Sequence, residues 1–322
     1  MKAINIEKDF NQSSVIEVNE PIVNEAQTLL NVKAVGICQS DLGRVYNEAA
    51  YYYPITLGHE FAGVTEDGRR ATVFPIIPCF ECEECKNGNY AQCKNYSYYG
   101  SRQNGGMTQK IAINDWNLIY NNCLDFDELA VIEPCAVAMR AVKTLLEKYN
   151  DPKSVLVNGC GFISLVASQI LKNYFGITVY IRNRNKEKLK FALQNFDLIE
   201  YNGEEVDCAM DFVSNSTSLN FIIENTKSHG SIIAIGNPVN NVEISKVNYS
   251  KLLRKELSLT GIWNSRRKDW FNVMHLIENK VIDVKKLITD SYYFEDFKDA
   301  FDSIKTNQIE CNKPIIKTIL TF

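Results

Sequence analysis

The 322-residue sequence lacks any hydrophobic run of the length that spans a bilayer, about 18 to 20 apolar residues. Its longest apolar stretches are interrupted by Ser, Gln or Lys. The opening residues, MKAINIEKDF, carry charges among the apolar positions, whereas a signal peptide has an uninterrupted apolar segment. We therefore expect a soluble, cytoplasmic protein with no membrane partner.

An excess of positive charge is also absent. The formal net charge is −4 and the pI is about 5.6, which provides no general attraction for nucleic acid or anionic lipid. Hydrophobic residues make up 45% and charged residues 23% of the chain, as in ordinary globular proteins, which argues against disorder. The length exceeds that of one typical domain, so we expect two.

The two halves of the sequence differ in character. Up to about residue 130, short β-branched runs such as LLNVKAVGI and RRATVFPII are broken by Gly, Pro and Asn, which predicts a β-rich region. From about residue 154, strands such as SVLVNG and TVYIRN alternate with helical segments such as NKEKLKFALQ. That alternation predicts a doubly wound parallel sheet, and hence an α/β fold.

Four of the ten cysteines lie in one short segment, PCFECEECKNGNYAQC, as Cys79, Cys82, Cys85 and Cys93. A reducing cytoplasm disfavours disulfides. A redox pair needs two thiols at a helix start after a strand, and here further cysteines and acidic residues intervene. Four thiolates at this spacing can surround one Zn²⁺ and leave no open position, so the segment predicts a structural zinc site. An iron–sulfur cluster is the alternative.

A second group combines different ligand types: Cys38 in GICQSD, and His59 with Glu60 in GHEFAG. Cysteine, histidine and carboxylate together are the ligand set of an open zinc site. A buried cysteine and a core histidine are the alternative interpretation, which the nearby glycines and carboxylates weaken. Glu133 in VIEPCA is a candidate further ligand.

The segment VLVNGCGFISLVA predicts a phosphate-binding turn, because its two glycines stand between an apolar strand and a helix. Ser164 replaces the usual third glycine and is small enough to keep helix and strand close. The helix N-terminus can supply N–H groups to a pyrophosphate. The candidate cofactor contacts are Gly159, Gly161, Phe162, Ile163 and, after the later strand SIIAI, Gly236.

The end of the next strand normally distinguishes NAD from NADP, about 20 residues further on, by an acidic residue that accepts the ribose hydroxyls of NAD. Here the sequence is TVYIRNRNKEKL, with Asn183 at that place between Arg182 and Arg184. Without the acid, and with two cations that could bind a 2′-phosphate, NADP(H) is favoured over NAD(H). The alternative is that these arginines only line a solvated strand end.

Taken in order, GICQSD, GHEFAG, the four-cysteine segment, IEP and GCGFIS resemble the zinc-containing medium-chain dehydrogenases over essentially the whole chain. YYPITLGHEFAG, YYGSRQNGGM and KLLRKELSLTGIW are most similar to the polyol and polyol-phosphate branch. The resemblance implies a GroES-like catalytic domain of residues 1–140 and 272–322, a Rossmann domain of residues 141–271, and an active site in the cleft between them.

The resemblance also implies two Zn²⁺ per chain, one catalytic and one structural. Cys38, His59 and Glu60 would hold the catalytic ion, with Glu133 as a ligand or as a hydrogen-bonding partner. Ser40 matches the proton-relay position of the family. Zinc would act as a Lewis acid while hydride passes between a secondary alcohol and the nicotinamide.

The implied substrate is a small polyol or sugar phosphate, whose phosphate needs a cation in the cleft. Arg44, where a simple polyol dehydrogenase has a neutral side chain, and Arg102, in GSRQNGG, are the candidates, since arginine binds phosphate in a bidentate manner. Asn264 is a further substrate-side candidate. Alternatively, both arginines are surface residues.

Two other functions stay open. One is a dehydrogenase of unphosphorylated polyols or other secondary alcohols. The other is a non-catalytic protein that binds zinc and a dinucleotide, although such a protein would not require the open Cys38, His59 and Glu60 set. The resemblance implies a homodimer or homotetramer, joined partly through the strand ELSLTGIW.

Overall fold

The structure, a computed structural model, describes residues 1–310 and 313–322. The strands are β1 (Lys2–Asn5), β2 (Ser14–Glu17), β3 (Gln27–Gly36), β4 (Glu60–Thr65), β5 (Arg70–Val73), β6 (Ile76–Ile77), β7 (Ser97–Tyr98), β8 (Lys110–Asn114), β9 (Leu118–Tyr120), β10 (Ser154–Asn158), β11 (Thr178–Arg182), β12 (Ile199–Glu200), β13 (Val206–Asp211), β14 (Thr226–Ala234), β15 (Ser258–Gly261), β16 (Ile288–Tyr293) and β17 (Lys317–Thr321).

The helices are α1 (Gln39–Tyr46), α2 (Glu83–Lys86), α3 (Phe126–Ala130), α4 (Ile132–Lys148), α5 (Phe162–Gln169), α6 (Lys186–Phe196), α7 (Ser216–Asn225), α8 (Lys246–Arg254), α9 (Arg267–Glu278) and α10 (Phe297–Glu310). A π-helical turn, Ile170–Tyr174, continues α5. Short 3-10 turns occupy Phe10–Gln12, Tyr90–Gln92, Asp115–Asn117, Lys285–Leu287 and Phe294–Asp296.

A seven-stranded sheet joins strands from both ends of the sequence, in the order β16-β17-β3-β4-β5-β9, with β8 also pairing with β3. β17 is antiparallel to β3, and the register of β3 with β4 places Gly36 opposite Glu60. Because β3 runs directly into Cys38 and β4 starts directly after His59, this register brings the two predicted ligand segments together.

The second large sheet has six strands in the order β12-β11-β10-β13-β14-β15, and every pair is parallel. Side chains from β10 alternate between its two faces: Val155 and Val157 pack in the core that includes α4 and α5, whereas Leu156 packs against Ile222 of α7. Ligands of such open sheets bind at the carboxyl ends of the strands. That edge contains the predicted phosphate-binding turn.

The helices α4 and α9 connect the two sheets through one continuous core. Trp270 of α9 is fully buried and its ring lies 5.4 Å from that of Phe74, just after β5. The domain limits that we predicted, at residues 140 and 272, fall inside α4 and α9, and the division stays a prediction. Within the described ranges, no helix has the length and apolarity that a membrane span requires.

Candidate active site

Cys38, His59 and Glu60 form one compact group. Their ligand atoms lie within 4.8 Å of one another, and His59 and Glu60 are 5% and 1% exposed. The buried Nδ1 of His59 has no hydrogen-bond partner in the described part of the chain. Thiolate, imidazole and carboxylate donors that converge in this way fit an open zinc site, so the residues present are suited to the ion.

Asp41 fixes the geometry around this group, a role that the sequence analysis missed. It is fully buried, and its Oδ2 accepts a hydrogen bond of 3.1 Å from the Cys38 N–H. Its Oδ1 accepts a bond of 2.8 Å from Arg44 and lies 3.6 Å from Nδ1 of His59. The acidic residue in QSD was visible in the sequence, but nothing there linked it to the segment of His59.

Lys317 was also missed. It is 5% exposed, forms an ion pair with Glu60, and donates a hydrogen bond of 3.1 Å to the carbonyl of Ile37. A lysine is almost never buried unless it is paired. The one signal in the sequence is that Lys317 is the single charged residue of its strand, KTILT.

Glu133 stands beside the group without belonging to it. It lies in the first turn of α4, is 6% exposed, and accepts a hydrogen bond of 3.3 Å from the hydroxyl of Tyr98. Burial raises the pKa of Glu133 to about 7. In this structure the carboxylate of Glu133 is therefore held by Tyr98 and lies outside the group of three.

The thiol of Cys38 makes metal binding depend on pH. Burial raises the pKa of Cys38 to about 12, with help from the charges of Glu60 and Asp41, so the metal-free protein holds a neutral thiol at pH 8. Since zinc binds the thiolate, we expect this site to release about one proton per ion, and its affinity to fall as the pH is lowered. Calorimetry in buffers of different ionisation enthalpy, against Cys38→Ser as control, measures this. Equal proton release by both proteins would contradict the prediction.

The four clustered cysteines also surround a common point. Their sulfur atoms lie within 4.8 Å of one another, and the Sγ of Cys79 lies 3.9 Å from that of Cys85 and 3.5 Å from that of Cys93. A tetrahedral ion with Zn–S bonds of about 2.3 Å requires sulfur separations of about 3.8 Å. The N–H groups of Cys85 and Lys94 lower the pKa of Cys82 to about 6, which favours the thiolate that zinc binds.

The glycine-rich turn lies between β10 and α5. Gly159 has a φ of +118°, which favours glycine, and its N–H donates to the carbonyl of Arg182 on the adjacent β11. Gly161 caps α5 and faces open space. Ser164 is buried and donates a hydrogen bond of 2.8 Å to the Gly161 carbonyl. This geometry leaves the N-terminus of α5 open to a pyrophosphate.

The other candidate cofactor residues differ in their exposure to solvent. Phe162 is buried in the core and Ile163 is half-buried. Gly236 follows β14 at the carboxyl edge of the sheet, where its N–H donates a bond of 3.3 Å to the carbonyl of Asp211.

Comparison with known protein families gives a match for each of the two parts of the chain. Residues 24–121 match the family "Alcohol dehydrogenase GroES-like domain" and residues 163–279 match "Zinc-binding dehydrogenase". The chain belongs to the zinc-containing medium-chain dehydrogenases. The predicted fold class, a GroES-like region with a Rossmann sheet, is thereby confirmed.

Several polyol enzymes are similar to this dehydrogenase. Galactitol 1-phosphate 5-dehydrogenase of Escherichia coli K12 is 26% identical, over 91% of this chain and 94% of that protein. The crystal structure of the Escherichia coli enzyme has a TM-score of 0.89 and 26% identity, with all of both chains covered. Sorbitol dehydrogenase of Bacillus subtilis is also 26% identical, over 92% and 91% of the two chains.

A second similar structure was solved with a bound nicotinamide cofactor. The alcohol dehydrogenase rspB of Escherichia coli CFT073, complexed with NADH, has a TM-score of 0.89 and 25% identity and covers 100% of this chain and 99% of that one. The present chain is a zinc-binding dehydrogenase of the alcohol and polyol dehydrogenase type.

The three residues predicted to select NADP are placed differently in the dehydrogenase. The guanidinium of Arg182 lies 3.6 Å from the ring centroid of Phe221, while Arg184 is exposed. The Oδ1 of Asn183 accepts a bond of 3.3 Å from the N–H of Cys160, inside the glycine turn. Arg184 is therefore the more exposed of the two arginines.

The substrate-side candidates are not equivalent either. Arg44 donates to Asp41 and, at 3.1 Å, to Oγ of Ser40, so its charge is already paired. Arg102 is exposed and lies between the rings of two tyrosines. Asn264 donates a hydrogen bond of 3.3 Å to the hydroxyl of Tyr98 and is thus connected to Glu133.

Proposed function

We propose that this dehydrogenase transfers hydride between NADP(H), favoured over NAD(H), and a secondary alcohol or ketone of a polyol phosphate or ketose phosphate. The observation that carries the phosphate assignment is the position of Arg102. It supplies an exposed guanidinium on the same loop that packs against the segment of His59.

That loop, residues 97–107, is tied to the metal site by backbone contacts. The N–H of Gly106 donates a bond of 2.8 Å to the carbonyl of Gly58, and a Cβ on Gly105 would lie only 2.0 Å from the same oxygen. Gly58 itself has a φ of +96°. Only glycines allow this close approach next to His59, so the loop has a fixed position relative to the metal ligands.

Two tyrosines hold Arg102 in place. Its guanidinium lies 4.8 Å from the ring centroid of Tyr51 and 4.3 Å from that of Tyr96, and it donates to both hydroxyls. The ring centroids of Tyr96 and Tyr98 lie 6.4 Å apart, and those of Tyr98 and His59 lie 5.7 Å apart, so the three rings form a row. A guanidinium has five N–H donors, so further donors remain for a phosphate at one end of this aromatic row.

The residues at the His59 end of this row bind and orient the reacting groups. A zinc ion held by Cys38, His59 and Glu60 would supply Lewis acidity at the substrate oxygen. The exposed hydroxyl of Ser40 can accept the substrate proton and pass it on. Asp41 keeps the ligand segments in register, so the protein contributes geometry while the cofactor carries the hydride.

Matched substrates test the phosphate assignment. We expect turnover with hexitol and pentitol phosphates or their ketoses, and not with free sorbitol or galactitol. In Arg102→Leu, the loss of a charged hydrogen bond should raise KM for phosphorylated substrates about tenfold to a hundredfold with less change in kcat. Arg69→Leu, which removes another arginine stacked on a tyrosine, is the control. Equal or better rates on free polyols would favour the alternative, a dehydrogenase like the sorbitol enzymes.

Asn183→Asp tests the cofactor preference. An aspartate can still accept the Cys160 N–H, although it loses the bond of 3.0 Å that Nδ2 of Asn183 donates to the Asn185 carbonyl. Its charge repels a 2′-phosphate and accepts ribose hydroxyls. We expect the ratio of kcat/KM for NADP over NAD to fall about tenfold or more. If the ratio of kcat/KM values and the melting temperature were both unchanged, position 183 would not determine the cofactor preference.

The proposal includes a cytoplasmic homodimer or homotetramer with the domain limits given above. β15 is an edge strand of the parallel sheet, and Leu259 within it and Trp263 just after it are 41% and 57% exposed. An edge strand with apolar neighbours supports pairing with a second copy.

A further inference from the structure

Tyr98 contacts residues of both predicted domains. It ends β7, its ring lies 5.7 Å from that of His59, and its hydroxyl donates to Oε1 of Glu133 at 3.3 Å. The same hydroxyl accepts a hydrogen bond of 3.3 Å from Nδ2 of Asn264. The phenol therefore connects a carboxylate next to the metal ligands with a residue of the nucleotide-binding side.

Asn264 is itself fixed. It follows β15 at the carboxyl edge of the parallel sheet, and it has a φ of +58°. Its Oδ1 accepts a bond of 2.7 Å from the N–H of Ser265, whose Oγ accepts one of 3.0 Å from the buried indole of Trp270. The amide that holds the Tyr98 hydroxyl is thus anchored to the core of the protein.

We propose that Tyr98 is a positioning residue: its hydroxyl keeps the Glu133 carboxylate outside the ligand group of Cys38, His59 and Glu60, and Asn264 keeps that hydroxyl in place. The inference concerns the metal site alone and does not depend on a phosphorylated substrate.

Glu133 has few partners that could hold its carboxylate away from the metal ligands. Among the described residues, the Tyr98 hydroxyl is the one hydrogen-bond donor to this buried side chain. The nearby buried cation, Lys317, is already paired with Glu60. A buried carboxylate without a partner is costly, so a carboxylate released by Tyr98 would turn to the metal. It would then occupy the position that an open zinc site keeps for substrate.

Cobalt-substituted protein provides a readout that does not depend on turnover. In Tyr98→Phe, we expect the visible absorption bands of Co²⁺ to shift and the release of zinc to a chelator to slow about tenfold or more, because a ligand is gained. Asn264→Ala should change both in the same direction, by less. Tyr96→Phe is the matched control, since its hydroxyl bonds Arg102 rather than Glu133, and it should leave both unchanged.

A second variant separates positioning from packing. In Tyr98→Phe combined with Glu133→Gln, the amide is a poor ligand, so the spectrum and the release rate should return to those of the unmodified protein. In Tyr98→Phe alone, kcat should fall more than KM rises. A lowered melting temperature with an unchanged Co²⁺ spectrum and release rate, or a shift that persists in the double variant, would overturn the proposal.

Discussion

Cys38→Ser should abolish turnover while the protein remains folded. The substitution removes a thiolate from a group of three ligands that lie within 4.8 Å of one another. Lewis-acid assistance stabilises the transition state by several kcal/mol, so we expect kcat/KM to fall by about a thousandfold or more. His59→Ala should have the same effect. Initial rates, measured together with zinc content by mass spectrometry, check this.

The control is Cys208→Ala, which changes a fully buried cysteine of β13 outside both cysteine-containing groups. It should retain turnover and both zinc ions, whereas Cys38→Ser should lose one ion per chain. If Cys38→Ser kept its activity, zinc chemistry at this site would be wrong. If it lost zinc but kept its activity, the ion would not take part in the reaction.

Cys82→Ser should instead destabilise the protein. Residues 79–93 contain only a short helix, α2, and one 3-10 turn, so the structure of this lobe depends on its metal. Binding of a structural zinc ion is coupled to folding. We expect the melting temperature to fall by about 5 °C or more, and the lobe to become sensitive to proteases.

The fluorescence of Trp116 should report whether the lobe of residues 79–93 is folded. Its ring contacts Phe80 and Tyr90, both in the lobe, with centroids 4.9 Å apart in each case. Unfolding of the lobe removes these contacts and should change the tryptophan emission. Cys123→Ser, at an exposed cysteine outside both groups, should alter neither the emission nor the melting temperature. An unchanged melting temperature and zinc content in Cys82→Ser would contradict a structural site.

The sequence was most informative where chemistry depends on short spacing. The four cysteines, the pair His59 and Glu60, and the glycines of the phosphate turn each lie within one local segment. Their grouping in the structure therefore follows from local order, and the alternation of strands and helices predicted the parallel sheet.

Contacts between distant segments could not be predicted in this way. Lys317 reaches the metal site through strand pairing, since β17 lies beside β3, and periodicity assigns it only to a terminal strand. Tyr98, at the end of β7, and Asn264, after β15, are 166 residues apart and meet only in the folded structure. Arg44 and Arg182 looked like free cations in the sequence, but the structure gives each a partner, Asp41 and the ring of Phe221.

The place of β17 between β16 and β3 also matters during synthesis on the ribosome. Lys317 bonds to Ile37 across 280 residues, so β17 is synthesised long after β3, the strand beside it. Because domains fold as the chain emerges, the parallel sheet can form before the seven-stranded sheet is complete. Until β17 pairs, Glu60 lacks the one ion-pair partner that it has among the described residues, and the end of β3 that leads to Cys38 has an unpaired edge.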